Sequence, residues 1–311
     1  MFEDVLKKTL IFILIGTFAQ IFIIHQTKTI NAENLSAGDT NDRLALIKER
    51  GVINVLSSND PPIAYIDPVT KEFTGVDGEI IHEIARRLGI KKVKMEEVPF
   101  ENLLTELNTN DNADMAASSI YVNEERKKQV LFTNIIYKES EAIVTPRVSK
   151  FTFKEDLKNA TLGVQLGTVY SELVQKWYQE NLIKAVKYYN TQNELLKAVN
   201  TGKVDACMTD SIVSSYLLST DTGLYLKPMD GYKPELAGLT AIALKKSDVA
   251  LANEINKKID EMKKDRTLMS ILSKYGMGTN NFVSVEDGHI YNNTSKRNLK
   301  YQLLEKERIN Q

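Results

Sequence analysis

The residues with the clearest chemical potential lie in Asn123-Glu124-Glu125-Arg126-Lys127-Lys128-Gln129-Val130-Leu131-Phe132-Thr133, directly after an apolar, strand-like run that ends in Ala116-Ala117-Ser118-Ser119. A strand ending in small residues, followed by a short capped helix with one arginine, presents a fixed guanidinium at a cleft. The planar fork of arginine binds a carboxylate through two parallel hydrogen bonds. Two more positions suit the same ligand. Thr168, in Leu166-Gly167-Thr168, stands at a strand-to-helix turn, where free N–H groups and the helix dipole attract an anion. Asp210, at the end of the strand-like Val204–Met208 run, offers a carboxylate to an ammonium. Together they complement the backbone of an α-amino acid, and holding one requires no catalysis. Each residue also has a plainer role. Arg126 can pair with Glu124 or Glu125 on the surface, Thr168 can serve only as a helix N-cap, and Asp210 can cap a helix over 211–218. The local pattern leaves both kinds of role open.

The elements that must position these residues read as alternating strands and helices. Val52–Leu56 is a strand ended by the turn-rich Ser57-Ser58-Asn59-Asp60-Pro61-Pro62. Asp77 reads as the cap of a helix with Ile80, Ile81, Ile84, Ala85 and Leu88 on one stripe, closed by Gly89. A strand over 93–95, a helix over 100–107 and a strand over 114–117 follow. A second block, from about Val148 to Tyr232, repeats the order: a strand over 161–164, a helix striped by Leu173, Val174, Trp177 and Tyr178, a helix opened by the capping box Thr191-Gln192-Asn193-Glu194, then Val204–Met208. Leu239–Leu244 is a further strand, and an amphipathic stretch runs to Tyr275-Gly276. This alternation predicts an α/β fold with mainly parallel sheets.

Length and charge agree. The chain has 311 residues, 42% hydrophobic and 26% charged, enough for two cores. A formal net charge of −1 supplies no general field for nucleic acid or an anionic membrane. The single cysteine, Cys207, excludes an internal disulfide framework and reads as a core residue. His82 reads as structural or solvent-facing, and no motif calls for a metal or cofactor. At the N-terminus, Lys7-Lys8 precede an uncharged run from Thr9 to Ile24, with Ile30-Asn31-Ala32 beyond it. That is the pattern of a secretory signal cleaved after Ala32, with an uncleaved anchor as the alternative. No cysteine follows the run to take a lipid. Residues 277–311 are polar and are expected to form an extension. Asn292-Asn293-Thr294 has the form of a glycosylation sequon.

Several segments, in order and spacing, resemble the type 2 periplasmic solute-binding proteins, in particular the polar amino-acid-binding group that serves ABC importers. They are Glu49–Val55, Pro61-Pro62, Phe73–Asp77, Glu125–Phe132, Gly163–Thr168, Gly202–Ala206 and the helices from Ile242 to Gly276, so the resemblance covers about 44–276. It implies two α/β lobes joined by two crossing strands: lobe 1 from 44–145 and 239–276, lobe 2 from 146–238, with crossings near Ala142–Thr145 and Leu239–Leu244. It assigns the carboxylate-binding arginine to Arg126, the helix-turn threonine to Thr168, the ammonium-binding aspartate to Asp210, and backbone and hydroxyl contacts to Ser118 and Ser119. Many members clamp the ligand side chain with aromatic residues beside the Pro-Pro segment. Asp60 and Ile63 stand there instead. Asp60 at that place would favour a cationic or polar side chain. Tyr121 occupies a position often held by Ser or Thr, where it would fill the pocket or replace a hydroxyl contact.

The expected function is therefore that of an exported, monomeric, non-enzymatic receptor that closes around a polar amino acid and hands it to a membrane permease. Two alternatives belong to other classes. One is a dehydratase on the same fold, with Glu139 and Asp60 as candidate acid–base groups. The other is a ligand-sensing module tethered through an uncleaved N-terminus.

Overall fold

In the computed structural model, residues 42–288 are described. The signal or anchor expected over 1–32, the sequon at Asn292 and the end of the extension lie outside them. The chain begins with α1 (Arg43–Arg50) and β1 (Val52–Ser57), followed by the small β2 (Tyr65–Ile66) and β3 (Phe73–Thr74) hairpin. Then come α2 (Val76–Leu88), β4 (Lys92–Glu97), a 3-10 turn at Phe100–Asn102, α3 (Leu103–Thr109), β5 (Met115–Ala116), α4 (Glu124–Gln129) and β6 (Leu131–Phe132). The long β7 (Tyr137–Pro146) leads to β8 (Thr161–Gln165), α5 (Val169–Gln179), β9 (Ala185–Tyr189), α6 (Gln192–Asn200), β10 (Ala206–Asp210), α7 (Ser211–Thr220) and β11 (Leu226–Pro228). The chain returns through β12 (Ala237–Thr240) and β13 (Ala243–Leu244) to α8 (Val249–Lys264) and α9 (Thr267–Lys274).

These strands form two larger sheets, ordered β4-β1-β5-β13-β6 and β11-β7-β10-β8-β9. Their centres are parallel, β1 with β4 and β5, and β8 with β9 and β10. The strands that join the sheets run antiparallel to their neighbours, so each sheet is mixed rather than mainly parallel. The expected single strand over 239–244 is two strands. β12 pairs with Tyr137–Ser140 of β7, whereas β13 belongs to the first sheet. Beyond Ser140, β7 continues into the second sheet beside β10.

Both faces of each sheet are covered, which is why the central strands are almost wholly apolar. One face of the first sheet packs Ile53 and Val55 against Ile80, Ile84, Ile255 and Leu272 of α2, α8 and α9, and the other packs Leu56 against Leu103 and Leu107 of α3. In the second sheet, Leu162 and Val164 meet Val174 and Trp177 of α5 on one side, and Val144 and Cys207 meet Leu195 and Val199 of α6 on the other. Cys207 is thus a core residue, its thiol pushed up by burial. The α2 stripe behaves as its spacing predicts, and Gly89 closes the helix at φ +75°, donating to Ala85 O and Arg86 O. His82 bonds Phe73 O through Nε2. The extension has structure over 277–288: Asn281 and Phe282 pair with Lys138 and Tyr137 at the start of β7, and the buried Lys263 amine donates to Ile135 O. Among the described residues, no helix is long and apolar enough to cross a membrane.

Candidate functional site

The sheets bring strand ends and helix starts to a common cavity of about 410 Å³ of atom-free space, part of it open to solvent. Asp60, Ser118, Ser119, Tyr121, Arg126, Thr168 and Asp210 all lie on its wall. Local capping fixes three of them. Asn123 accepts Arg126 N–H at 2.8 Å and starts α4, so the guanidinium stands one turn into a short helix. Thr168 caps α5 by accepting from Ser171 N, while its hydroxyl donates to Gln165 O at 2.7 Å. Asp210 caps α7 through Oδ1, which accepts from Ile212 N at 2.7 Å and Val213 N at 3.0 Å. For Thr168 and Asp210 the capping role and the place on the cavity coexist.

Arg126 does not pair with Glu124 or Glu125, which bond Lys127 and Lys128 instead. Its Nη1 donates to Tyr121 O at 2.8 Å and its Nη2 to Gly167 O at 3.1 Å, and the guanidinium lies 5.5 Å from the Phe100 ring centre. Burial lowers its pKa against the opposing pull of Glu172, and it stays charged. Gly167 has φ +78°, and a Cβ there would stand 2.6 Å from Glu101 Cα, so the turn before Thr168 presses against the first sheet's side of the cavity.

Asp77 is not the cap of α2. That place belongs to Gly75, and the Asp77 carboxylate points inward, accepting from Ser119 N and Tyr137 OH, each at 2.8 Å. The contact holds Ser119 at φ 52°, a left-handed conformation uncommon for serine. Ser119 Oγ then donates to Glu139. The Ser118 hydroxyl is engaged by Ser57 and Ser58. Tyr121 fills space and does not offer a free hydroxyl: its OH bonds Tyr170 OH at 2.6 Å, and its ring packs with the second-sheet cluster.

Six wall residues escaped the sequence reading as site residues: Phe100, Gln165, Val169, Tyr170, Gln192 and Val213. Gln192 Nε2 donates to Gln165 Oε1 at 2.7 Å, Thr209 Oγ1 donates to Gln192 Oε1, and Gln165 Nε2 reaches Asp60 Oδ2 at 3.3 Å. This amide chain, together with Ser58 Oγ at 2.8 Å, orients the Asp60 carboxylate. No motif links these amides. The available signal was a polar residue at each strand or helix end facing the cavity. Asp60 has its pKa raised to about 6, burial being the main cause. Asp77 rises to about 6 for the same reason. Burial also raises Glu139 and Asp210, and the Asp210 charge lifts Glu139 further. The cavity thus carries three carboxyl groups, Asp60, Glu139 and Asp210, against one guanidinium.

A two-lobed α/β architecture with a cavity between two sheets defines a class of ligand receptors, and comparison with known proteins gives the family. Residues 53–278 match the model of bacterial extracellular solute-binding proteins, family 3, and the chain belongs to that family. It is 28% identical over 204 residues to the arginine-binding extracellular protein ArtP of Bacillus subtilis, covering 66% of this chain and 78% of that one. The glutamine-binding protein GlnH of an ABC transporter of Bacillus subtilis is 27% identical, over 87% of this chain and 97% of its own. A solved ancestral amino acid-binding protein, a precursor of cyclohexadienyl dehydratase, superposes with a TM-score of 0.65 at 26% identity, covering 75% and 99%. The family is one of extracellular solute-binding proteins, and these relatives are binding proteins.

Proposed function

We propose that this chain captures an α-amino acid with a cationic side chain and delivers it to the permease of an ABC importer. The single observation that carries the reading is the cavity's surplus of carboxyl groups over its one guanidinium. The ligand's carboxylate lies at Arg126 with the N-terminus of α5 at Thr168, its α-ammonium at Asp210, and its side-chain cation at Asp60. Ser118 and Ser119 supply the strand-end wall. Binding leaves the ligand chemically unchanged.

The expected lobe 1 (44–145 and 239–276) and lobe 2 (146–238) would meet in the crossing strands β7 and β12, with β7 already beside β10 beyond Ser140. Ligand docks on lobe 1, and hinge bending brings Thr168, Gln165 and Asp210 onto it. Closure gains only what the ligand adds in the closed state. The protein acts as a monomer outside the cytoplasm, exported through its N-terminal segment.

A thermal-shift screen of the full chain against the common amino acids, small dicarboxylates and polyamines tests this. Arginine, lysine or ornithine should raise the melting temperature most, because a ligand stabilises by RT ln(1 + [L]/Kd). Preference for an acidic or neutral amino acid would overturn the cationic reading. Conversion of prephenate or arogenate to an aromatic product would overturn binding without chemistry.

A further inference from the structure

Glu139 is not used by the ligand contacts assigned above, yet it is the most deeply committed acid of the cavity. It stands on β7, the crossing strand, is 5% exposed and lines the cavity wall. One oxygen, Oε1, accepts from Ser119 Oγ. The other, Oε2, has no well-formed hydrogen bond among the described residues. A buried carboxyl oxygen left in that condition marks a place where a donor is to arrive. Asp210 stands beside it, close enough for the two carboxyls to compete for one proton. The titratable groups facing Glu139 from the packed elements are Asp77 on α2, Tyr121 after β5, Tyr170 on α5 and Asp210, with Tyr137 on its own strand. None of these is a cation. Arg126, the cation on the cavity wall, directs its fork to two carbonyl oxygens instead.

We propose that Glu139 is a second carboxylate for the ligand's α-ammonium, paired with Asp210, and that the two acids share one proton which leaves to solvent when the ammonium arrives. The inference rests on the receptor reading above and deepens it by assigning the floor of that site. The ammonium keeps its own hydrogens, the departing proton comes from the carboxyl pair, and no covalent bond to carbon changes. Burial and the adjacent Asp210 charge hold the Glu139 carboxyl protonated well above the ordinary carboxylate range, which supplies the proton to be displaced. A neutral partner in place of the ammonium would leave the pair protonated, so the device selects for charge at that end of the ligand. The pairing also couples ligand capture to the crossing strand itself, because β7 carries Glu139.

Isothermal titration of L-arginine into the full chain, in two buffers of different ionisation enthalpy, counts the protons released. At about pH 7, where ordinary carboxylates are ionised, the native protein should release close to ~1 proton per ligand. Glu139→Gln should release almost none and bind roughly 10-fold more weakly, and Glu139→Asp should restore part of the release. Equal release from native protein and Glu139→Gln overturns the proposal. Should the variant fail to fold, the native protein alone decides. Asp60, at about 6, is largely ionised above neutrality. Affinity should therefore rise toward ~10-fold between about pH 7 and pH 8 if one proton leaves, and a flat profile overturns the proposal. Binding without proton release defeats this inference only. Absence of binding by every amino acid in the screen defeats the receptor reading itself.

Discussion

Arg126 engages carbonyl oxygens from both sides of the cavity, Tyr121 O and Gly167 O, and so acts as a latch as well as a candidate anion site. A lysine at 126 keeps the charge and loses the fork. Arg126→Lys is expected to weaken amino-acid binding by ~10–100-fold, and Arg126→Ala by roughly 2–5 kcal/mol. Arg126→Lys should shift the unfolding free energy by no more than about 1 kcal/mol, whereas Arg126→Ala leaves the Tyr121 and Gly167 carbonyls without their donor and should cost roughly 1–3 kcal/mol. Titration calorimetry paired with urea unfolding measures both, and unchanged affinity in either variant rejects the site. Arg126, Thr168 and Asp210 were legible in the sequence because capping has a grammar: Asn123, Thr168 and Asp210 each precede a helix, and chemistry sits at such junctions. Gln165 and Gln192 were not legible as wall residues, and Glu139 was legible only as a candidate acid–base group. Their meeting depends on which strand ends the fold brings together, and amides and acids on strands carry no spacing signal.

At the scale of elements, helix stripes and sheet cores were readable from periodicity, as Ile80, Ile81 and Ile84 on α2 show. The join between sheets was less so, since 239–244 reads as one apolar run while β12 and β13 belong to different ladders. Gly238 of β12 lies against the Tyr121 ring, and a Cβ at Gly238 would stand 1.7 Å from that ring. The ring is held by its hydroxyl bond to Tyr170, so it cannot retreat freely. Gly238→Ala is expected to destabilise the chain by roughly 1–3 kcal/mol through overpacking beside the crossing strands. Truncating the ring removes the obstacle. In the double variant with Tyr121→Ala, the two costs should fall short of their sum by about 1 kcal/mol or more. Urea unfolding of the single and double variants gives the coupling, and simple additivity would show that the ring is not what the methyl meets.

At the scale of the whole molecule, the buried acids in and beneath the cavity make stability depend on pH in an unusual direction. The folded chain holds protons on Asp60 and Asp77 up to about 6, whereas their ordinary value is 3.8. Between those values the folded state binds more protons than the unfolded one, so stability falls as pH rises. At ~1.4 kcal/mol per unit of pKa, each aspartate contributes on the order of 3 kcal/mol to that fall. Glu139 and Asp210 shift in the same direction. Glu83 and Asp265 act oppositely. The Arg86 hydrogen bond holds Glu83 at about 2, and the Thr267 hydrogen bond holds Asp265 at about 2. Their contribution is present above the ordinary carboxylate range and is lost only in more acidic solution, and solvent exposure keeps it small. The ligand-free chain should therefore be more stable at about pH 5 than at about pH 7.5, with a decline below about pH 4. Urea midpoints across that range measure it, and a profile that rises toward neutrality would show that the cavity acids are not held protonated. Added arginine should stabilise more at about pH 7.5 than at about pH 5, because the ligand's cations replace the protons that the cavity then lacks. A ligand effect independent of pH would separate the acids from binding and remove the electrostatic basis for a cationic cargo.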